Sequence, residues 1–231
     1  MTTPHHLAAT AAAWSLQEAR RRLAQLARDE VRLADAGLLA AASALRSPTY
    51  GTRHSSGDHG DPTGQWAGTR EPRITTWADL LDRLDHRLRW LGDTLRCPDG
   101  PALGRILTAL PTLQPGTARV VAAHLADEDA WVRAACRMPA ATTPLPGVEC
   151  PHCGERQLQV LCAGPVDAWV VVCATGRPCT GQGCRCGMPG AVEGAPHIWP
   201  RARVLGAVAG VVPKRNPRTG KRDRHDRPAH R

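Results

Sequence analysis

Phenylalanine is absent and tyrosine occurs once, so a hydrophobic core must come from leucine, valine, alanine and some of the seven tryptophans. Lysine is nearly missing too: 28 of the 30 basic residues are arginine. Together with abundant Ala, Gly and Pro this marks a GC-rich coding sequence rather than a function. No apolar run approaches bilayer-spanning length; the richest, Ala36 to Leu45, is far too short. No basic residue precedes an apolar segment near the N-terminus, so no secretory signal is expected. The expected location is the cytoplasm, with no membrane partner. Thiols stay reduced there, and an odd total of nine cysteines fits poorly with full disulfide pairing.

Catalytic signatures are missing as well. There is no Gly-Lys phosphate loop, no dinucleotide-type glycine pattern behind a strand and no His-Glu-x-x-His. A zinc deaminase needs His-x-Glu followed by Pro-Cys-x-x-Cys. Here Glu149 precedes Cys150 and no His-x-Glu lies upstream. The chain is not expected to be an enzyme.

What stands out is the stretch from Cys150 to Cys186, which holds seven of the nine cysteines. Cys150-Pro151-His152-Cys153-Gly154 has the form of a metal knuckle, two thiols on one tight turn with a glycine free to adopt a left-handed backbone. Two short apolar runs follow, 157–161 and 168–172, separated by the turn Gly164-Pro165-Val166-Asp167. Cys173 ends the second run. Knuckle, hairpin and second cysteine group are the plan of a zinc ribbon, a unit too small to fold on an apolar core alone. Zinc, Zn2+, is the expected metal, held by Cys150, Cys153, Cys173 and Cys179. Cys184 and Cys186 are alternative ligands for the second pair, and His197 ranks behind the thiols. Cys136 and Cys162 are expected to be plain buried thiols.

The formal charge of +9 is unevenly spread. Residues 201–231 carry 10 Lys and Arg against 2 Asp and Glu, whereas the other 200 residues carry 20 against 19. A basic tail of this kind binds phosphate by counterion release. Arg201, Arg203, Lys214, Arg215, Arg218, Lys221, Arg222 and Arg224 are its candidate contacts to DNA or RNA.

The rest of the chain reads as helical. Residues 1–13 lack a pattern, and Ser15-Leu16-Gln17-Glu18 resembles a capping box opening a helix to about Ala34, within an N-terminal segment 1–46. Residues 47–72 are rich in Gly, Pro, Ser and Asp and read as a flexible linker. In the helical region 73–138, Thr76 and Asp79 cap a helix whose stripe is Trp77, Leu80, Leu81, Leu84, Leu88, Leu91 and Leu95. Asp79–Arg83 and Asp85–Arg89 sit at four-residue spacing on its wet side. Residues 102–138 suggest two or three shorter helices, the last starting at Asp127-Glu128-Asp129. Three acids at that position would repel phosphate, which counts against a helix-turn-helix. Residues 139–149 read as a Pro-rich linker into the ribbon, 150–200. Ile198-Trp199 is a candidate third strand, 201–212 a short helix, and 201–231 a mostly disordered tail. The fold class is thus a mainly α N-terminal region plus a small β zinc-ribbon-like domain.

Cys150-Pro-His-Cys153, Trp169-Val-Val-Val-Cys173, Cys184-Arg-Cys186-Gly-Met-Pro and His197-Ile-Trp-Pro200 together resemble a group of small proteins of actinobacteria and their bacteriophages. Those proteins pair a helical N-terminal half with a C-terminal cysteine-rich ribbon. The resemblance covers about residues 150–200 and, more loosely, 75–137. It implies a metal ribbon and no activity. It also implies a simple second pair after the second strand, Cys173 with Cys179, with Cys184-Arg-Cys186 as an elaboration. Two functions follow as expectations: an accessory or regulatory protein binding nucleic acid through ribbon and tail, or an interaction adaptor dimerising through the helical stripe.

Overall fold

The computed structural model describes residues 2–36, 76–188 and 190–209. The linker at 47–72 and the tail residues Lys214, Arg215, Arg218, Lys221, Arg222 and Arg224 lie outside the described residues. Four helices form the N-terminal half: α1 Pro4–Asp35, α2 Trp77–Thr94, α3 Ala102–Ala109 and α4 Pro115–Ala135, with a 3-10 turn, Leu110–Thr112, before α4. A small antiparallel sheet follows, β1 Thr142–Leu145, β2 Leu158–Leu161, β3 Val170–Cys173 and β4 Ile198–Pro200, and then α5, Arg201–Ala209. Among the described residues no helix is long and apolar enough to cross a membrane.

The first helix begins earlier than its sequence suggests. Thr3 is the N-cap and Pro4 takes the first turn, where its missing N–H costs nothing. His6 Nδ1 accepts from the Thr3 backbone N–H at 3.2 Å, while its Nε2 lies 2.9 Å from the Leu113 carbonyl. Ser15 is therefore not a cap but a buried mid-helix residue, its hydroxyl 2.6 Å from Asp129 Oδ2. The alanines of the first three turns gave no amphipathic pattern because both sides of α1 are covered there. Ala9, Ala13, Leu16, Ala19 and Leu23 enter the helical core. Leu7, Ala8 and Ala11 pack on the ribbon core.

The α2 helix is as expected at its start: the Thr76 hydroxyl accepts from Asp79 N–H at 3.0 Å, and the Asp79 carboxylate accepts from Thr76 N–H at 3.2 Å. Its stripe is consumed internally. Leu80, Leu84, Leu88 and Leu91 are buried against α1, α3 and α4, so they are not a dimer surface. Asp85, whose spacing points to Arg89, is instead held by Arg20 of α1 through two bonds of 2.6 and 2.7 Å.

Residues 115–135 form one helix rather than two. Two of the acids that look like a helix start are partnered in mid-helix: Glu128 with Arg87 at 2.6 Å, and Asp129 with Ser15 and Arg133. Arg133, only 8% exposed, reaches Asp129 at 3.0 Å, the Ser15 hydroxyl at 3.1 Å, Glu18 at 3.2 Å and the Pro139 carbonyl at 2.9 Å. It thereby ties α1 and α4 to the segment entering the sheet.

That segment is also more than a linker. β1 forms the edge of the sheet, whose order is β1-β2-β3-β4. An edge is the one place where a strand tolerates Pro144, since its missing donor can face away from the ladder. The β2–β3 hairpin runs from Leu161↔Val170 at the turn to Leu158↔Cys173 at the base. This register returns Cys173 to the knuckle. β4 pairs with β3 as Val171↔Trp199 and Val172↔Ile198, and the Cys173 N–H donates to the His197 carbonyl at 3.0 Å.

The two halves meet at Gly164. Its φ is +78°, and an added Cβ would lie 2.5 Å from the Trp14 ring of α1, so only glycine fits.

Candidate metal centres

All nine cysteines are free thiols, and the fold gathers six of them into two clusters. The first is Cys150, Cys153 and Cys173; the second is Cys179, Cys184, Cys186 and His197. Within each, the candidate donor atoms lie within 4.8 Å of one another.

The knuckle builds the first cluster. Gly154, at φ +72°, donates its N–H to the Cys150 carbonyl at 2.9 Å, and Cys150 N–H donates to Glu155. This turn aims Cys150 and Cys153 together, and the hairpin brings Cys173 Sγ to 3.8 Å from Cys153 Sγ. The Thr175 hydroxyl stands 3.1 Å from Cys173 Sγ. Burial pushes the Cys150 thiol up to about 12, against backbone hydrogen bonds at Cys153 and His152. Burial acts the same way on Cys153. There, hydrogen bonds at the Glu155 backbone and to Cys150, Cys173 and Thr175 outweigh it, and the thiol is lowered.

A loop and the last strand build the second cluster. Cys179 is pinned in backbone ladder fashion, its N–H on the Ala195 carbonyl and its carbonyl on the Gly194 N–H, both at 2.8 Å. Its Sγ is 3.9 Å from Cys186 Sγ. Backbone hydrogen bonds at Thr180 and Cys186, with His197 adding, draw Cys184 down to about 4. Burial pushes Cys186 up to about 11. His197 is 1% exposed. Its Nδ1 is bonded to the Arg177 carbonyl at 2.9 Å, which must receive a proton, so Nε2 carries the free lone pair. That Nε2 is 3.5 Å from Cys184 Sγ. His152 stacks on His197 at 3.8 Å with its Nδ1 3.2 Å from Cys184 Sγ.

The donor sets suit a thiophilic metal. Three thiols with one oriented imidazole make a four-donor Cys3His set of the structural kind. Thiols raised by burial give up their protons when a cation arrives, which couples metal binding to proton release.

The expected ligand set is divided between the two centres. Cys150, Cys153 and Cys173 come together, but Cys179 does not join them: six residues after β3 the chain has turned to meet Cys184 and Cys186. Those two, expected as alternatives to Cys173 and Cys179, complete a separate cluster. His197, expected behind the thiols, is a donor of the second cluster, and its place there follows from its position one residue before β4. Cys162 stays outside both clusters, its Sγ 3.9 Å from the Val160 carbonyl. Of the candidate nucleic-acid residues the structure describes Arg201 and Arg203 on α5, with the Arg201 guanidinium 5.5 Å over the Trp169 ring. Trp199 is 1% exposed and donates to the Cys186 carbonyl, so it belongs to the core and is not available to stack on a base. No family model, curated protein or solved structure matches this chain.

Proposed function

We propose that the protein is a zinc-dependent ribbon protein that binds nucleic acid without catalysis, using its basic C-terminal segment. The observation that carries this reading is the placement of charge. The 31 residues with a net +8 begin at α5, which follows β4 without a break, so the basic segment starts on the metal-stapled sheet. Zinc is the metal because thiolate and imidazole donors in fours suit its tetrahedral preference. Half-buried Trp169, under Arg201, is the aromatic positioned for contact with a base or sugar.

The test is titration of labelled duplex DNA, single-stranded DNA and RNA with the full chain. A second protein replaces Lys214, Arg215, Arg218, Lys221, Arg222 and Arg224 with glutamine. Val204 is buried on the ribbon, so truncation at Pro200 would harm folding and substitution is preferred. If six phosphates are neutralised on a duplex, log K falls with log salt at a slope of about −5. The substituted protein should lose most of that slope. Absence of binding by the full chain at low salt would overturn the reading.

The adaptor alternative no longer has the α2 stripe. It rests instead on Trp90 and Val120, which are 59% and 69% exposed on α2 and α4.

A further inference from the structure

The two clusters differ in a way that a structural ribbon does not require. Among the described residues the second has four donors and the first has three. No other cysteine can complete the first, because all nine are described and the remaining three lie elsewhere. Cys162 points to the Val160 carbonyl, and Cys97 and Cys136 flank helices of the N-terminal half. His152 is the nearest imidazole in sequence, yet it is turned to the other centre, 3.2 Å from Cys184 Sγ and stacked on His197. The Glu149 carboxylate is held by Arg156 at 3.0 Å and is 61% exposed. What stands beside the three sulfurs is the Thr175 hydroxyl, a neutral group suited to donating a hydrogen bond to a thiolate. In the first cluster only Cys150 is buried, Cys153 and Cys173 being half-buried, whereas in the second only Cys184 is not buried.

We propose that Cys150, Cys153 and Cys173 form an open zinc site whose fourth position accepts an exchangeable small thiolate from outside the chain, beside a closed Cys179–Cys184–Cys186–His197 site. Zinc takes four ligands, and three protein ligands leave one coordination position for an external donor. Sulfur donors match the three already present. The Thr175 hydroxyl is placed to steady either a protein thiolate or the incoming one. This rests on the metal reading above, and not on the nucleic-acid reading.

The full chain carrying two Co2+ ions is titrated with 2-mercaptoethanol while sulfur-to-cobalt charge-transfer absorption is followed. One ion should respond, its intensity rising by about a third as three sulfurs become four. The zinc-loaded chain, challenged with a chromogenic chelator, should release one equivalent at least about tenfold faster than the other. Cys173→Ser should remove the thiol response and the fast equivalent, while His152→Ala should keep both. Two bound metals with no thiol response, or a single release phase, would overturn the open site while leaving the metal reading intact. Loss of the fast metal in His152→Ala would also overturn it, since His152 would then be closing the site. A chain that binds no metal would overturn both readings.

Discussion

Metal removal should unfold one half of this protein and leave the other standing. The helical half has fifteen buried apolar residues in one cluster, including Leu16, Leu23, Leu84, Leu88, Ile106, Leu110 and Leu125. The ribbon has four strands of three or four residues and a thinner core that includes Cys150, Cys179 and Cys186 themselves. A structural zinc site supplies about 10–16 kcal/mol of apparent binding free energy in small domains. A whole domain is stable by only about 5–15 kcal/mol, so without metal the ribbon has no reserve. Thiol counting with a chromogenic disulfide measures this directly. In the loaded protein the six cluster thiols are protected. Cys97 and Cys136 react slowly, because burial raises both thiols above their ordinary value. Once chelation has removed both metals all six should be reactive, those of the Cys150–Cys153–Cys173 cluster first, the near-ultraviolet signal of buried Trp199 should collapse, and the helical far-ultraviolet signal should largely remain. Equal reactivity of all nine thiols before chelation, or an unchanged Trp199 signal after it, would refute the reasoning.

Three further outcomes are expected. Arg133→Ala leaves the Asp129 carboxylate without its counter-charge and the Pro139 carbonyl without its donor and should cost about 3–5 kcal/mol in urea denaturation, whereas joint replacement by Asp129→Leu and Arg133→Met should recover part of it. Cys173→Ser and Cys179→Ser should each lose one metal by elemental analysis and spare the other; loss of the same metal by both would restore a single shared site. His5 is held below its ordinary value of 6.5 by burial, with Arg119 and His6 adding. Its contribution is therefore complete above pH 6.5 and is lost as pH falls from there through the depressed folded value, and His5→Asn should flatten that limb of a stability–pH curve.

Legibility in the sequence followed how local the governing interaction was. α2 could be read because its cap and stripe lie within one helix, and the β2–β3 hairpin because turn and apolar runs are adjacent. The early start of α1 could not be read, because a helix covered on two sides shows no polar face in its alanines. Glu128 and Asp129 look like a helix start because partners that hold them in mid-helix, Arg87 and Ser15, are far along the chain. The strand at 142–145 was hidden by Pro144, which only an edge position excuses. The metal residues show the same division. The knuckle pair Cys150 and Cys153 is local and was legible. The partition of Cys173 from Cys179 depends on strand register, and His197 on the pairing of β4 with β3, neither of which spacing along the chain reveals.

α1 connects the two halves physically. Its first turns place Leu7, Ala8 and Ala11 on the ribbon core while Ala9, Ala13 and Leu16 enter the helical one, so a single rigid element is a wall of both. Trp14 lies over Gly164 at the hairpin turn, and Arg133 bonds α1, α4 and the chain leading into β1. A ribbon that lost its metal would uncover apolar surface on the N-terminal turns of α1 but not on the later ones, since residues 16–27 face α2 and α4. Loss of a bound metal should thus be felt first at the start of α1, where the two halves of the chain are joined, rather than in the helical core.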